Sequence, residues 1–280
     1  MWLRMLKVLA LIFFCFYPWW LVSILFHPWY GPLAALIFTS FCLVFLKTVP
    51  DLVLLSLLKA REQRKSRSHE AYLILKKIAF DYRMPMPKLY FTYKGTRNIY
   101  ALYRGKQSTL VVHENCLSHL TAEEFHAVFS WLLSPVAKKM LKRGTFINAL
   151  VTFSVLPFVS LSWFFQRLNF LPEIITDGPK ASLDLMTIAL IEIGHSIFYD
   201  KKIVTKNDLK IKAQADLGSA LISALGKLEQ SKEPFSWSEK ILLSNRFSQT
   251  KHHVRIFSLL TEYSDPEHRI EVLKTLDVNP

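Results

Sequence analysis

The sequence predicts a mainly helical α+β chain with a small β-sheet and about four transmembrane helices. Three observations predict it. Apolar residues make up 51% of the 280 positions and gather in charge-free blocks. Basic clusters stand at the ends of those blocks. Between the blocks, a stretch of helical spacing gives way to short strand-like runs and then returns to helix.

The first block, residues 8–30 (VLALIFFCFYPWWLVSILFHPWY), contains no Lys, Arg, Asp or Glu, and residues 32–45 (PLAALIFTSFCLVF) continue the run after a Gly-Pro turn. About 20 apolar residues cross a hydrocarbon core, so both blocks qualify as spans. A signal peptide is the rival reading of the first, since Arg4 and Lys7 give it a basic start. Its length, the missing small-residue cleavage site and the second run directly behind it favour an uncleaved hairpin over residues 1–58. The remainder, residues 59–280, is interrupted by a second membrane pair at about 145–199. Residues 146–165 (FINALVTFSVLPFVSLSWFF) are uncharged and long enough to span. Residues 185–199 (LMTIALIEIGHSIFY) are shorter and carry Glu192 and His195, so they form either a tilted span or a helix buried against the others.

Charge orients these segments. Arg4 and Lys7 precede the first block, KAREQRKSR (59–67) follows the second, and KKMLKR (138–143) and DKKIVTKNDLKIK (200–212) flank the second pair. By the positive-inside rule the soluble part and both termini are cytoplasmic. The net charge of +13 raises nucleic acid as a partner, but the basic cluster at 59–67 lies against an apolar block, where topology and anionic lipid account for it. The partner read from these features is the lipid bilayer, with no nucleic acid. Cys15 and Cys42 lie inside spans and Cys116 stands alone, so neither a disulfide framework nor a CxxC zinc site is available.

In the soluble part, residues 68–80 (SHEAYLILKKIAF) place Ala71, Leu75, Ile78 and Ala79 on one helical side and Lys76 and Lys77 on the other. MPMPK enforces an extended connection. LYFTY (89–93), IYALYRGKQ and STLVVHE (108–114) read as a small β-unit. A helix then opens at Thr121 as N-cap, with Glu123 and Glu124 in its first turn, and carries Trp131, Leu132 and Pro135 at its centre. Residues 216–228 and 266–276 read as further helices.

This order of parts resembles that of the HtpX-like integral-membrane zinc metallopeptidases. The resemblance is carried by MPMPKLY, NIYALYRGKQSTLVVHENCLSHLTAEEFHAV, ADLGSALISALGKLE and DPEHRIEVLKTL. It implies a zincin-like, metallopeptidase-like domain in a bacterial inner membrane. In the family, His-Glu-x-x-His follows Ala-Val, two imidazoles holding zinc while the glutamate polarises the attacking water. Counting on from Ala127 and Val128, Trp131 and Pro135 stand at the two histidine positions and Leu132 at the glutamate. Indole only donates, leucine moves no proton and proline offers no ligand. Anchoring the family's Glu-x-x-x-Asp pattern on Asp200 places Ser196 at the third ligand, and the His-Pro pair before the final helix falls near Tyr263 and Ser264. Zinc, the cofactor the family implies, is therefore expected to be absent, and no catalytic residue is assigned. Pro135 inside a helix costs about 3 kcal/mol unless the helix kinks or ends there.

Other polar residues are weighed against this loss. His113, Glu114 and His119 have the wrong spacing for one helix face and read as surface polar residues at a strand end. His126 lies near the degenerate motif. Glu192 and His195 share a face at i, i+3, and with His126 they are the candidates for a rebuilt metal site. The alternative is that the pair hydrogen-bond each other within the bundle. The family's cleft binds extended peptide, and Thr109, Leu110, Val111 and Val112 are expected to form an edge strand that could accept one. The expected function is a proteolytically inactive membrane pseudoprotease that binds a membrane-protein client or a partner protease. The alternatives are an active zinc metalloendopeptidase with non-standard ligands and a structural membrane assembly factor.

Overall fold

The computed structural model describes residues 30–62, 69–93, 97–167, 189–191, 201–214, 217–229 and 266–275, together with residues 9, 13, 16, 17 and 20. These residues form a mixed α+β structure, mostly helical, around one four-stranded sheet.

Helix α1 (Gly31–Thr48) begins with proline in its first turn and ends one residue before Pro50, which opens α2 (Pro50–Leu57). Proline lacks the N–H that would continue α1, and its fixed φ suits a first turn. Helix α2 closes with Lys59 in the left-handed region at φ 48° and Ala60 N–H donating to the Leu55 carbonyl at 3.0 Å. The chain then pairs briefly as β1 (Arg61–Glu62) and resumes in α3 (His69–Asp81). Arg83, again at φ 48°, ends α3 in the same way, with Met84 N–H bonded to the Ala79 carbonyl.

Strands β2 (Lys88–Thr92), β3 (Ile99–Arg104) and β4 (Gln107–His113) follow, close to where their sequence runs place them. The order across the sheet is β1-β2-β4-β3. Gly105, at φ +59°, begins the two-residue turn that joins β3 to β4, the position where such a turn demands glycine. The sheet is buried on both faces. Leu110, Val112, Ile99 and Ala101 join one core with α3 and the later helices, and Tyr100, Leu102 and Val111 pack with Leu54, Leu55 and Leu58 of α2.

A single turn, α4 (Cys116–His119), leads to α5 (Ala122–Leu133). Helix α6 (Pro135–Arg167) starts within the main core through Ala137, Met140 and Leu141, and runs on without interruption into the apolar stretch. Helices α7 (Lys201–Lys212), α8 (Leu217–Glu229) and α9 (Pro266–Thr275) complete the core.

Two described helices are long and apolar enough to cross a membrane, Gly31–Thr48 and the Pro135–Ser160 part of α6. They lie antiparallel. The Phe38 and Phe153 rings pack at a tilt, 6.3 Å between centroids. Beyond the end of α1, Asp51 reaches Arg104 at 3.7 Å, and the neighbouring Tyr103 N–H donates to Thr145 Oγ1 at 3.1 Å. Leu46, near the end of α1, packs in one cluster with Ile147 and Leu150, so the end of α1 lies beside the start of the apolar stretch of α6, just after Thr145. Leu33, Leu36, Ile37, Phe41 and Val44 of α1 are each more than half exposed. The predicted spans at 8–30 and 185–199 lie almost wholly outside the described residues.

Candidate functional site

The stretch that carries the resemblance begins with a full capping box. Thr121 Oγ1 accepts from Glu124 N–H at 3.3 Å, and Thr121 N–H donates to Glu124 Oε2 at 2.8 Å. Glu124 is buried and does more than cap. It also accepts from Ser223 Oγ at 2.5 Å and from Lys227 Nζ at 2.9 Å, which ties the start of α5 to α8. Burial pushes its carboxyl upward, but the bonds from Lys227, Ser223 and Thr121 outweigh that and hold it below the usual carboxylate range.

Helix α5 does not carry Pro135 at its centre. It ends at Leu133, and Pro135 is the first residue of α6, exposed at the surface. Ser134 between them is extended at φ −58°, ψ 147°, the conformation a residue before proline favours. Ser134 Oγ accepts from Ala137 N–H at 3.0 Å and so caps α6. The same hydroxyl donates to Asn207 Oδ1 at 2.5 Å. A helix that ends here orphans its last carbonyls. Three are met by side chains: Tyr82 Oη donates to the Ser130 carbonyl at 3.4 Å, Asn207 Nδ2 to the Trp131 carbonyl at 3.0 Å, and Tyr103 Oη to the Leu132 carbonyl at 2.8 Å.

Two of the positions that the resemblance aligns with a zinc motif, Trp131 and Leu132, are filled from within the core. Trp131 is 1% exposed, and its indole Nε1 donates to Asp208 Oδ1 at 2.6 Å. Asp208 is held from the other side by Arg269, whose Nε reaches Oδ2 at 2.9 Å and whose Nη2 reaches Oδ1 at 2.7 Å. The Arg269 guanidinium also lies over the Trp131 ring, 5.0 Å from its centroid. Asp208 and Arg269 are both nine-tenths buried or more, so α5, α7 and α9 meet at a fully paired, water-excluded cluster. Leu132 is buried in the same core.

His126 is placed apart from this cluster. Five residues separate it from Trp131, about 140° around the helix, and the charges that bear on it are Lys77 and Asp81 of α3. Burial first, and Lys77 second, lower its pKa from the ordinary histidine value. Glu192, His195, Ser196, Tyr263 and Ser264 lie outside the described residues.

Two expectations are corrected. Thr109, Leu110, Val111 and Val112 do not form an edge. Strand β4 is interior, parallel to β2 through Lys88↔Thr109 to Thr92↔His113 and antiparallel to β3 through Ile99↔Val112 to Arg104↔Gln107. Both of its backbone edges are already bonded, so it cannot accept a peptide strand. His113 is not a surface residue. It is 4% exposed, and its Nδ1 accepts from Asn115 N–H at 3.2 Å. Glu114 and His119 are exposed, as expected of a strand end.

Among the described residues, no group of three His, Cys, Asp or Glu side chains stands close enough to hold a metal ion. The donor set around Trp131 does not fit zinc. Its carboxylate is engaged by an indole and a guanidinium, and among the described residues no three-ligand group with an imidazole or thiolate stands there. What the arrangement can do is fasten three helices together. Asn207, Asp208, Ser223 and Lys227 escaped the sequence reading. The only hint of the first two was an Asn-Asp pair interrupting a run of lysines.

No family model, curated protein or solved structure matches the chain.

Proposed function

We propose that this chain is a proteolytically inactive, HtpX-like integral-membrane protein whose role is to bind a membrane protein, either a client or a partner protease. One observation carries the reading. The helix that resembles the family's zinc helix is broken after Leu133, and its first ligand position is a tryptophan locked to Asp208 and Arg269. Catalysis by that family needs three protein ligands and a polarised water, and the side chains here supply neither the imidazoles nor the general base. Several parts of the resemblance support the reading further. The paired apolar helices, the strand hairpin at 99–113 and the Glu-x-Arg-Ile helix at 267–270 stand in the family's order. Asp208 offers a second anchor for the Glu-x-x-x-Asp pattern, since its carboxylate is bonded to Trp131. It puts buried Val204 at the third ligand position.

In this reading α1 and α6 cross a bacterial inner membrane with the sheet on the cytoplasmic side. Binding through the spans, as an assembly factor would bind, is favoured by one observation of its own. Helix α1 presents Leu33, Ile37, Phe41 and Val44 along an exposed face, whereas Trp131, at the position the resemblance aligns with the first ligand, is buried. Photo-crosslinking from Ile37 and Phe41, compared with crosslinking from exposed Pro135, tests this. Membrane-protein adducts from α1 alone are expected. Adducts only at Pro135 would return binding to the former cleft, and casein cleavage abolished by a chelator would replace the reading with an active metallopeptidase.

A further inference from the structure

We infer that the basic face of the first turns of α6 is a binding site for the headgroup phosphate of anionic phospholipids. This rests on the reading that α6 crosses the bilayer. Lys139, Lys142 and Arg143 are exposed at i, i+3 and i+4, so they share one helix face, with half-buried Lys138 beside them. The opposite face, Ala137, Met140, Leu141 and Thr145, is buried in the protein and fixes which way the basic residues point.

Two further observations make this a headgroup site rather than an ordinary solvated charge run. First, among the described residues the charges are uncompensated. Helix α6 contains no Asp or Glu at all, and no described carboxylate pairs with any of the four. The one acid on neighbouring α7, Asp208, is spent on Arg269, while exposed Lys206 and Lys210 add positive charge. Second, their depth is set by the fold. Leu46, near the end of α1, packs in one cluster with Ile147 and Leu150, at the start of the apolar stretch of α6, so the boundary of both lies close to Thr145. At 1.5 Å per residue, Arg143, Lys142 and Lys139 then lie about 3 to 9 Å below that boundary. The headgroup layer is on the order of 5–7 Å thick on each side of the core. Partly exposed Phe146, one turn above Lys142 and Arg143 on the same face, adds an apolar contact for the acyl chain beneath the headgroup.

The test uses the full chain in a zwitterionic detergent, titrated with short-chain phosphatidylglycerol, with phosphatidylcholine of equal chain length, and with inorganic phosphate. Phosphatidylglycerol is expected to bind at least about tenfold more tightly than phosphatidylcholine, without displacement by millimolar phosphate. The variant Lys139→Gln/Lys142→Gln/Arg143→Gln should lose about tenfold or more of that affinity, and Lys139→Arg/Lys142→Arg/Arg143→Lys should keep it. Equal binding of the two lipids, or undiminished phosphatidylglycerol binding by the glutamine variant, overturns the site. Displacement by phosphate would make it a free-anion site and overturn the lipid assignment. Alkaline carbonate washing separates this outcome from failure of the membrane reading. A wild-type chain that washes off the membrane removes the span itself, whereas a retained chain with no lipid preference removes only the headgroup site.

Discussion

The Trp131 carbonyl accepts a hydrogen bond from Asn207 Nδ2 at 3.0 Å, and it is the carbonyl that residue 135, being proline, cannot serve. In a continuous helix the N–H at 135 would point at it. The chain instead stops α5 and turns at Ser134, whose N–H reaches that carbonyl at 3.4 Å while a side chain from α7 makes the shorter bond to it. Asn207→Leu removes the shorter of the two bonds to that carbonyl, leaving the one from Ser134 N–H at 3.4 Å, and takes away the acceptor of the Ser134 hydroxyl, so it should cost about 1–3 kcal/mol of stability. Pro135→Ala, at a first helical position that already suits proline, should change stability by less than about 1 kcal/mol. Chemical denaturation in detergent, followed by tryptophan fluorescence, measures both.

The buried cluster around Asp208 makes a second expectation. Removing one member strands a charge away from water, so Asp208→Ala and Arg269→Ala should each destabilise by about 3–5 kcal/mol. Replacing both with apolar residues, Asp208→Leu/Arg269→Met, should cost much less than the sum. Trp131→Phe retains most of the ring but loses the indole donor, for a cost of about 1–3 kcal/mol. A double-mutant cycle on thermal midpoints reads the coupling. Additive losses would mean that Asp208 and Arg269 do not act as a pair.

How far the sequence reveals this arrangement differs from element to element. Helices α3, α5, α8 and α9 and the three longer strands are legible because their signals are local: apolar spacing, the Thr121 cap and the Pro and Gly punctuation. Helix α7 is not, since KKIVTKNDLKIK is so basic that it reads as a charge run flanking a span, and its buried stripe of Val204, Asn207, Asp208 and Ile211 is half polar. The interior position of β4 was equally hidden. An apolar STLVVH fits a central strand as well as an edge, and only the insertion of β4 between β2 and β3 decides it. That Trp131, Leu132 and Pro135 offer no zinc ligand could be read from residue chemistry alone. The partners of Trp131 could not, because Asp208 and Arg269 lie 77 and 138 residues further along the chain.

Acid should loosen α5 through two groups whose folded pKa values are both depressed. A group lowered on folding contributes stability that is present above its unfolded pKa and lost as pH falls through the folded value. For His126 the loss begins as pH drops below the ordinary value of 6.5, and for Glu124 below 4.5. His126→Gln should therefore flatten the thermal midpoint between about pH 7 and 5 relative to wild type. Glu124→Gln should lower stability at neutral pH and remove the steeper loss at lower pH. An unchanged pH profile in His126→Gln would contradict the assigned burial.

Rebuilding the family's zinc motif should fail while the helix break remains. Trp131→His/Leu132→Glu with Pro135 in place puts one imidazole opposite Asp208 and leaves no second one a helical turn away. No stoichiometric zinc should survive dialysis of that variant. Replacing Pro135 as well is a necessary further step, because two ligands at i, i+4 require one continuous turn. Zinc retained with Pro135 present would show that another residue completes the site.

The most direct test of the central claim is the zinc content of the wild-type chain. The protein is expressed with zinc available, purified in detergent, dialysed against a weak chelator and examined by elemental analysis. The account predicts less than about 0.1 zinc per chain, since the donors at Trp131, Leu132 and Pro135 cannot make the three-ligand site that hydrolysis by this family requires. Zinc near one per chain would contradict it. Glu192, His195 and His126 would then be the residues to replace first.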